Sequence, residues 1–483
     1  VRRVTQAGQP TGAVSGSSAW QSQAGYAYCQ LKEAAVRKYV IPLAAAAAIV
    51  TLGAPAAQAG TGGEQPPVGV VSALPATNTP HLPATSKTTQ QIRQLVQCGG
   101  TMYAVGTFSS IIKGSTTYAR TDIFSFSATS PYTVTSWAPS VTGSTETNED
   151  GADAVNTIAF SGGNCADAYI GGNFTKINGT SVANIAEIST STGNVVTSFG
   201  HSASGTVDTI LGVGGHLLVG GTFAKINGAS IPYMVSLNPA TGANDGFMSL
   251  SIKGSQVYNQ QLSHGGTLDL LEGVFSSVGG AARKQMFMLN VGGSTATVTG
   301  WTSPTMNIAC TEGFWARAAA WSPNDSTVYV ATTGYHEPGT STHGPRPKGS
   351  PCDVAMALPA TQSSVNPTWI NQTGCDSLYA AAADTKAAYF GGHERYSMNP
   401  EACDTLGAGG YNAPGTEGLD PANGDLYVNK AGSAGYYSRA RGLGADDMLI
   451  TSAGLWIASD NFDDSQMCGG ADGLAGICFL PYS

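Results

Sequence analysis

The phrases VGTF (Val105 to Phe108), IGGNF (Ile170 to Phe174), VGGTF (Val219 to Phe223) and EGVF (Glu272 to Phe275) are near-copies of one another, spaced by roughly fifty residues, the period of a repeat whose copies stack. Each closes a run of β-type residues. The glycines permit a bend or a close backbone approach, and the aromatic that follows is placed to fill the space between neighbouring sheets. A small sheet of this kind cannot bury its faces alone, so the copies must share one continuous core.

Aligned on these kinks, the copies run from Ile92 to Gly143, Ala154 to Gly205, Val207 to Gly254 and Gln256 to about Cys310. The second reads as four strands, VNTIAF (Val155 to Phe160), AYIGGNF (Ala168 to Phe174), NIAEIS (Asn184 to Ser189) and VVTSFG (Val195 to Gly200), separated by Gly-Gly, Asn178-Gly179 and Thr192-Gly193 turns. Beyond Cys310 the copies drift. WARAAAWSPNDSTVYVATTG (Trp315 to Gly334), SLYAAAADTKAAYFGG (Ser377 to Gly392) and LGADDMLITSAGLWIAS (Leu443 to Ser459) each keep the two inner strands. The pattern predicts an all-β fold, a single β-propeller of seven four-stranded blades over residues 92–483; one misjudged boundary would make it about six or eight. The last copy stops at Phe479-Leu480-Pro481, one strand short. VVSALPATNTPHL (Val70 to Leu82), within a 60–91 segment that otherwise reads as a linker, is expected to supply that strand and close the ring.

The chain of 483 residues is 11% charged and 42% hydrophobic, a balance that suits an exported all-β protein. Arg37 and Lys38 precede an apolar run from Tyr39 to Leu52, and Ala57-Gln58-Ala59 supplies small residues for cleavage after Ala59. The run is shorter than the about 20 residues that a membrane anchor needs. Residues 1–59 thus read as a leader with a mis-assigned upstream extension; Val36 is a better start, and a valine start codon with this alanine-rich style fits a GC-rich actinobacterium. Secretion, or loose association with a cell wall, is the expected location. A net charge of −9 argues against nucleic acid as a partner. The chain is expected to be a monomer.

Of nine cysteines, Cys29 falls in the leader region, leaving an even number that favours disulfides over metal sites. Blade register suggests Cys310-Cys352 and Cys375-Cys403, each stapling a long loop to its blade, with Cys468-Cys478 in the last blade and Cys98-Cys165 on the opposite face.

The phrases YIGGNFTKING (Tyr169 to Gly179) and LLVGGTFAKINGASIPYMVSLNPATGANDGF (Leu217 to Phe247) resemble the delta-60 repeat propellers of secreted bacterial proteins, in which a GGxF kink leads through an NG turn to a P-x-T-G turn. The resemblance is best in the second and third copies, partial in the first and fourth, and absent from the last three. It implies a propeller in an extracellular or surface binding role, without shared catalytic residues.

In such a fold the loops between second and third strands share a face with the connections between blades. They swell in three adjacent blades, at Tyr335 to Asp353, His393 to Gly415 and Asn461 to Ala475, and long loops in compact folds are more often functional than idle. Candidate ligand-binding residues there are His336, Glu337, His343, Arg346, Lys348, His393, Glu394, Arg395, Tyr396, Asp460, Asn461, Asp463 and Asp464, while Arg317, Arg439 and Arg441 are expected to point into the channel, where cations could hold a carboxylate or phosphate. The plainer reading is solvated loop residues, with arginines paired to Asp446 or Asp447. No catalytic residue is assigned: His393 and Glu394, adjacent in an extended segment, point opposite ways. No cofactor is required. Asp460, Asp463 and Asp464 offer oxygen donors of the kind calcium takes, though their spacing departs from an EF-hand and turn chemistry explains them as well. His336 and His343 lack a third ligand for a transition metal, and NPATG (Asn238 to Gly242) is a weak pointer to a quinone- or copper-dependent oxidoreductase. The leading expectation is a non-catalytic module binding a cell-wall or extracellular glycan, or a surface protein. The alternative is a glycosidase or lyase using Glu337, Glu394 and Asp460, two of which would have to lie about 5 to 10 Å apart.

Overall fold

The structure, a computed structural model, describes residues 58–59, 62–83, 90–143, 154–310, 313–334, 349–439, 444–461 and 475–482. Each sequence copy forms a small antiparallel sheet. In the second, Asn164–Asn173 lies between Ala154–Ser161 and Ile185–Ser189. Its Asn178-Gly179 turn has φ of 48° and 80°, the left-handed pair that a type I′ hairpin requires. The expected fourth strand, Val195 to Gly200, is reduced to one bridge between Ile188 and Val195. Beyond it Phe199 leaves the sheet edge to fill the gap toward the third sheet, where it is buried. Burying that ring is worth about 1.5–3 kcal/mol, more than the about 1 kcal/mol net of another edge hydrogen bond.

The kink glycines answer to a close approach rather than a turn. A Cβ on Gly106, Gly172, Gly221 or Gly273 would fall 2.0, 2.1, 2.2 or 2.3 Å from the carbonyl oxygen of Gln91, Ala154, Thr206 or Gln256 on the innermost segment. The aromatics that follow, Phe108, Phe174, Phe223 and Phe275, are buried. A second repeated feature is invisible in composition. The residue before each third strand, Asp122, Asn184, Tyr233, Gln285, Asp353, Gly415 and Gly476, has φ between 50° and 82°. Asp and Asn tolerate that conformation and here also work as caps: Phe108 N–H donates to Asp122 Oδ1 (2.9 Å) and Phe174 N–H to Asn184 Oδ1 (3.1 Å).

The innermost strands are Gln91–Cys98, Ala154–Ser161, Val207–Val213, Ile252–Leu262, Ala316–Trp321, Leu378–Ala383 and Ala445–Thr451. Each packs against the next, and the last packs against the first. No sheet closes on itself among the described residues; the ring arises from sheets stacked face to face around an axis. This is a β-propeller. Apolar clusters fill the spaces between neighbouring sheets, such as Tyr103, Trp137, Ile158, Ile170 and Phe174 between the first two. Outer-strand tryptophans tie sheets together: Trp137 Nε1–H donates to Ser189 O (3.0 Å), Trp301 to Pro359 O (3.0 Å) and Trp369 to Pro421 O (2.9 Å).

The N-terminal segment runs along the outer edge of the last blade, joined to it by isolated bridges and backbone hydrogen bonds. Val71 bridges Tyr482, Ser72 N–H donates to Pro481 O (2.7 Å) and Ala76 N–H to Phe479 O (2.8 Å). Upstream, Gly63–Glu64 pairs parallel with Leu426–Tyr427 of the sixth sheet and Gln58–Ala59 with Trp369–Ile370 of the fifth. The chain thus follows the outer edges of three successive blades. Disulfides join Cys98 to Cys165, Cys310 to Cys352 and Cys375 to Cys403, with Cα separations of 5.8, 5.8 and 4.7 Å. Cys478 is also disulfide-bonded, and Cys468 lies outside the described residues. Among the described residues no helix is long and apolar enough to cross a membrane.

Candidate functional site

Opposite each kink the innermost strand carries an extra, unpaired residue, Arg93, Asn156, Asp208, Tyr258, Arg317, Tyr379 and Asp446 in turn, and the fourth of these strands has a second at Ser255. A bulge of this kind re-aims its side chain. These side chains reach one another across blade boundaries, which places them on the axial side. Arg93 Nη1 donates to Asn156 Oδ1 (2.5 Å), Asn156 Nδ2 to Asp208 Oδ1 (3.2 Å), and Gln256 Nε2 to Asp208 Oδ2 (2.9 Å). The Arg317 guanidinium lies 5.6 Å over the Tyr258 ring, whose hydroxyl donates to Ala316 O. Because each kink leads into the loop between second and third strands, this polar ring rims the channel at the end that carries the long loops.

Charges alternate around the ring, with cations at Arg93 and Arg317 and carboxylates at Asp208 and Asp446. Arg317 is exposed and makes no hydrogen bond or ion pair among the described residues; its guanidinium rests against the Tyr258 face. Behind it lies Glu272, which takes the place of a kink glycine in EGVF. It is 0% exposed. Its Oε2 accepts from Asn259 Nδ2 (2.8 Å) and its Oε1 is buried without a hydrogen-bond partner among the described residues. Burial pushes this carboxyl up to about 8 against the opposing pull of Asn259 and Arg317. Near pH 7 this carboxyl is therefore held mainly in its acid form and does not pair with Arg317. Asp447, next to the ring in sequence, accepts from Leu95 N–H (2.9 Å) and is raised to about 6 by burial.

The sixth-blade loop is built rather than open. Tyr396–Ser397 pairs with Tyr411–Asn412, and Asn399 Oδ1 accepts from Gly407 N–H (2.7 Å). Arg395, a candidate ligand contact from sequence, is committed within the protein. Its Nε and Nη2 grip Asp376 at 2.7 and 2.9 Å, and Nη2 also reaches Asp404 at 2.6 Å. Glu394 is 0% exposed beside the equally buried Glu417. Burial and the neighbouring carboxylate push Glu394 well up, and burial raises Glu417 to about 7. Glu394 therefore cannot meet a surface ligand. His393 and Tyr396 are half-buried; His393 N–H donates to Ser377 O (2.8 Å).

Asp460 and Asn461 likewise serve the fold. Asp460, 0% exposed, accepts from Gly444 N–H (2.9 Å). Asn461 bonds Gln90 N–H through Oδ1 (2.7 Å) and Pro83 O through Nδ2 (2.7 Å), tying the last blade to the start of the first. Arg439 departs from its expected place on an inner strand. It lies in the connection into the last blade, where its guanidinium donates to Ser438 O (2.9 Å) and to Ala73 O of the closing segment. His336, Glu337, His343, Arg346, Lys348, Arg441, Asp463 and Asp464 lie outside the described residues. Among the described residues, Arg317 is thus the one sequence candidate found in the ring. Its companions are a mixture of Arg, Asn, Asp and Tyr with no common residue type; the signal that finds them is position opposite the kink, readable only once strands are paired.

No family model matches the chain, and no curated protein matches it. Among solved structures, the chain is similar to the WD40 β-propeller domain of Doa1, with 11% identity over 83% of this chain and 97% of that one and a TM-score of 0.41. It is also similar to Sqt1 of Saccharomyces cerevisiae, with 8% identity over 84% and 100% and a TM-score of 0.44. U3-55K gives 10% identity over 84% and 99% and a TM-score of 0.44. Likenesses at this level carry nothing about ligand or partner.

Proposed function

We propose that this chain is an exported, monomeric, seven-bladed β-propeller that binds a polar extracellular ligand, a glycan or the surface of another protein, at the long-loop end of its channel. The polar ring of bulged residues carries this reading. A ring assembled from all the innermost strands, with alternating charge and an exposed uncommitted cation, is organised for recognition rather than for packing. The count of blades is supported by the ring of inner strands and by the repeated left-handed position before each third strand. Export is supported by the disulfides and by the leader-like segment. Of the carboxylates considered for a glycosidase, Glu394 and Asp460 are both 0% exposed, so binding without catalysis is favoured.

The test is an array of glycans, cell-wall fragments and surface proteins probed with the purified chain and with Arg93→Ala and Tyr379→Ala variants whose folding is checked by circular dichroism. Binding that is weakened in the variants supports the channel mouth. Equal binding by folded variants overturns that location, and absence of binding across the array overturns the binding reading.

A further inference from the structure

The polar ring is not uniform, and its sectors differ in what remains available. On one side, Arg93, Asn156, Asp208 and Gln256 satisfy one another in a continuous run of hydrogen bonds. On the other, Arg317 is exposed over the Tyr258 ring, with half-buried Tyr379 and Asp446 on the next two bulges. Resting on the reading of the channel mouth as the binding site, we propose that the Arg317 sector binds the carboxylate of an acidic saccharide, a chain of uronic acid type.

A guanidinium offers a planar fork of donors that matches a carboxylate in two parallel bonds. Arg317 has such a fork uncommitted among the described residues. The groups facing Glu272 are Asn259 and Tyr258 on its own sheet and Arg317 from the next blade, which also faces Tyr258 and Tyr379. A neutral Glu272 does not compete for the guanidinium; an ionised one would. The bulged side chains around the mouth are polar or phenolic. The ring's arginines and tyrosines are residue types that serve protein partners as well, but its succession of amide, carboxylate and phenol groups matches the closely spaced hydroxyls of a sugar, which a peptide backbone lacks. These features favour an acidic saccharide over an acidic peptide.

The experiment is titration calorimetry with an oligogalacturonate, a neutral oligogalactoside of the same length and an acidic peptide, on wild type, Arg317→Ala, Arg317→Lys and Glu272→Gln, with thermal melts to confirm folding. Oligogalacturonate is expected to bind wild type, and Arg317→Ala to weaken it about 10- to 100-fold, the worth of a charge-assisted contact, with Arg317→Lys between. Wild-type affinity should fall as pH rises through about 8, where Glu272 ionises, and Glu272→Gln should remove that fall. Retained affinity in folded Arg317→Ala, or equal binding of the neutral oligosaccharide, overturns the inference while leaving the mouth as a glycan site. Binding of the acidic peptide alone overturns the saccharide class. Absence of binding by all three probes overturns the inference, and the array above then decides separately whether the binding reading stands.

Discussion

A single missing Cβ accounts for much of the repeat. At Gly172 an added methyl group would sit 2.1 Å from Ala154 O, in a contact formed by backbone on both sides that cannot be relieved by a rotamer change. Gly172→Ala is expected to cost about 1–3 kcal/mol, as forced overpacking does. Gly100→Ala, with nothing within 4 Å and no left-handed φ, should stay within about 0.5 kcal/mol of wild type; urea unfolding of the pair separates close approach from glycine flexibility. Arg395 belongs at the same scale. Removing it leaves Asp376, whose side chain is 3% exposed, as a buried carboxylate without its bidentate partner. Arg395→Ala should lose about 3–5 kcal/mol, seen as a lower urea midpoint. Its sequence setting, His-Glu-Arg where other copies have an apolar end, marks an unusual position without telling that the arginine faces inward. The partner that consumes its charge lies on a different strand start.

At the scale of elements, the outer edge of the last sheet is covered by a segment from the other end of the chain. Truncation through Ala59 should leave closure intact, because the bonds of Ser72 and Ala76 to the final strand lie beyond it. Truncation through Pro83 should expose the edge of Ile477–Pro481, lowering the melting temperature and adding oligomers in size-exclusion chromatography, since an unpaired edge recruits other strands. A truncated chain that stays monomeric with an unchanged melting temperature would contradict the closing role. That an N-terminal segment lies along the last sheet was legible because the last copy is visibly one strand short, but the segment meets the sheet through isolated bridges rather than as a full strand. The inner strands were legible too, through their kinks. Fourth strands form in the fourth, fifth and sixth sheets, at Thr297–Val298, Trp369–Gln372 and Leu426–Tyr427, whereas in the second copy Val195 to Gly200 has strand-like residues but its aromatic gains more in the interblade gap than in the ladder. The bulges were illegible, because an extra residue in a strand leaves no mark of its own until its partner's register is known.

For the whole molecule, buried carboxyls set the response to pH. Burial raises Glu272 to about 8, Glu417 to about 7 and Asp447 to about 6, from ordinary values of 4.5, 4.5 and 3.8. Between the ordinary and raised values the folded chain holds protons that the unfolded chain has released, so stability declines as pH rises through that interval. In the opposite direction, Asp245, partly buried but bonded to His216, and Asp325, bonded to His264, are held below the ordinary value. Their stabilisation is lost as pH falls through the folded value. Thermal melts should therefore show a maximum in mildly acidic buffer, at about pH 5, and a falling melting temperature toward pH 8. Glu417→Gln should flatten the profile between about pH 5 and 7; a wild-type profile that rises steadily to pH 8 would contradict the buried-carboxyl account. Sequence alone suggests none of this, because a glutamate in a loop phrase reads as solvated until its neighbours are known.

The antiparallel seam between the N-terminal segment and the final strand has a mechanical meaning. Val71 opposes Tyr482, so the two chain ends leave the seam from the same side. Tension applied between them peels this pair one hydrogen bond at a time instead of shearing many at once. The parallel contacts of Gln58–Ala59 and Gly63–Glu64 with the fifth and sixth sheets lie upstream of the seam and take that load first. A chain tethered by its N-terminus would thus shed these outer contacts before its ring began to open.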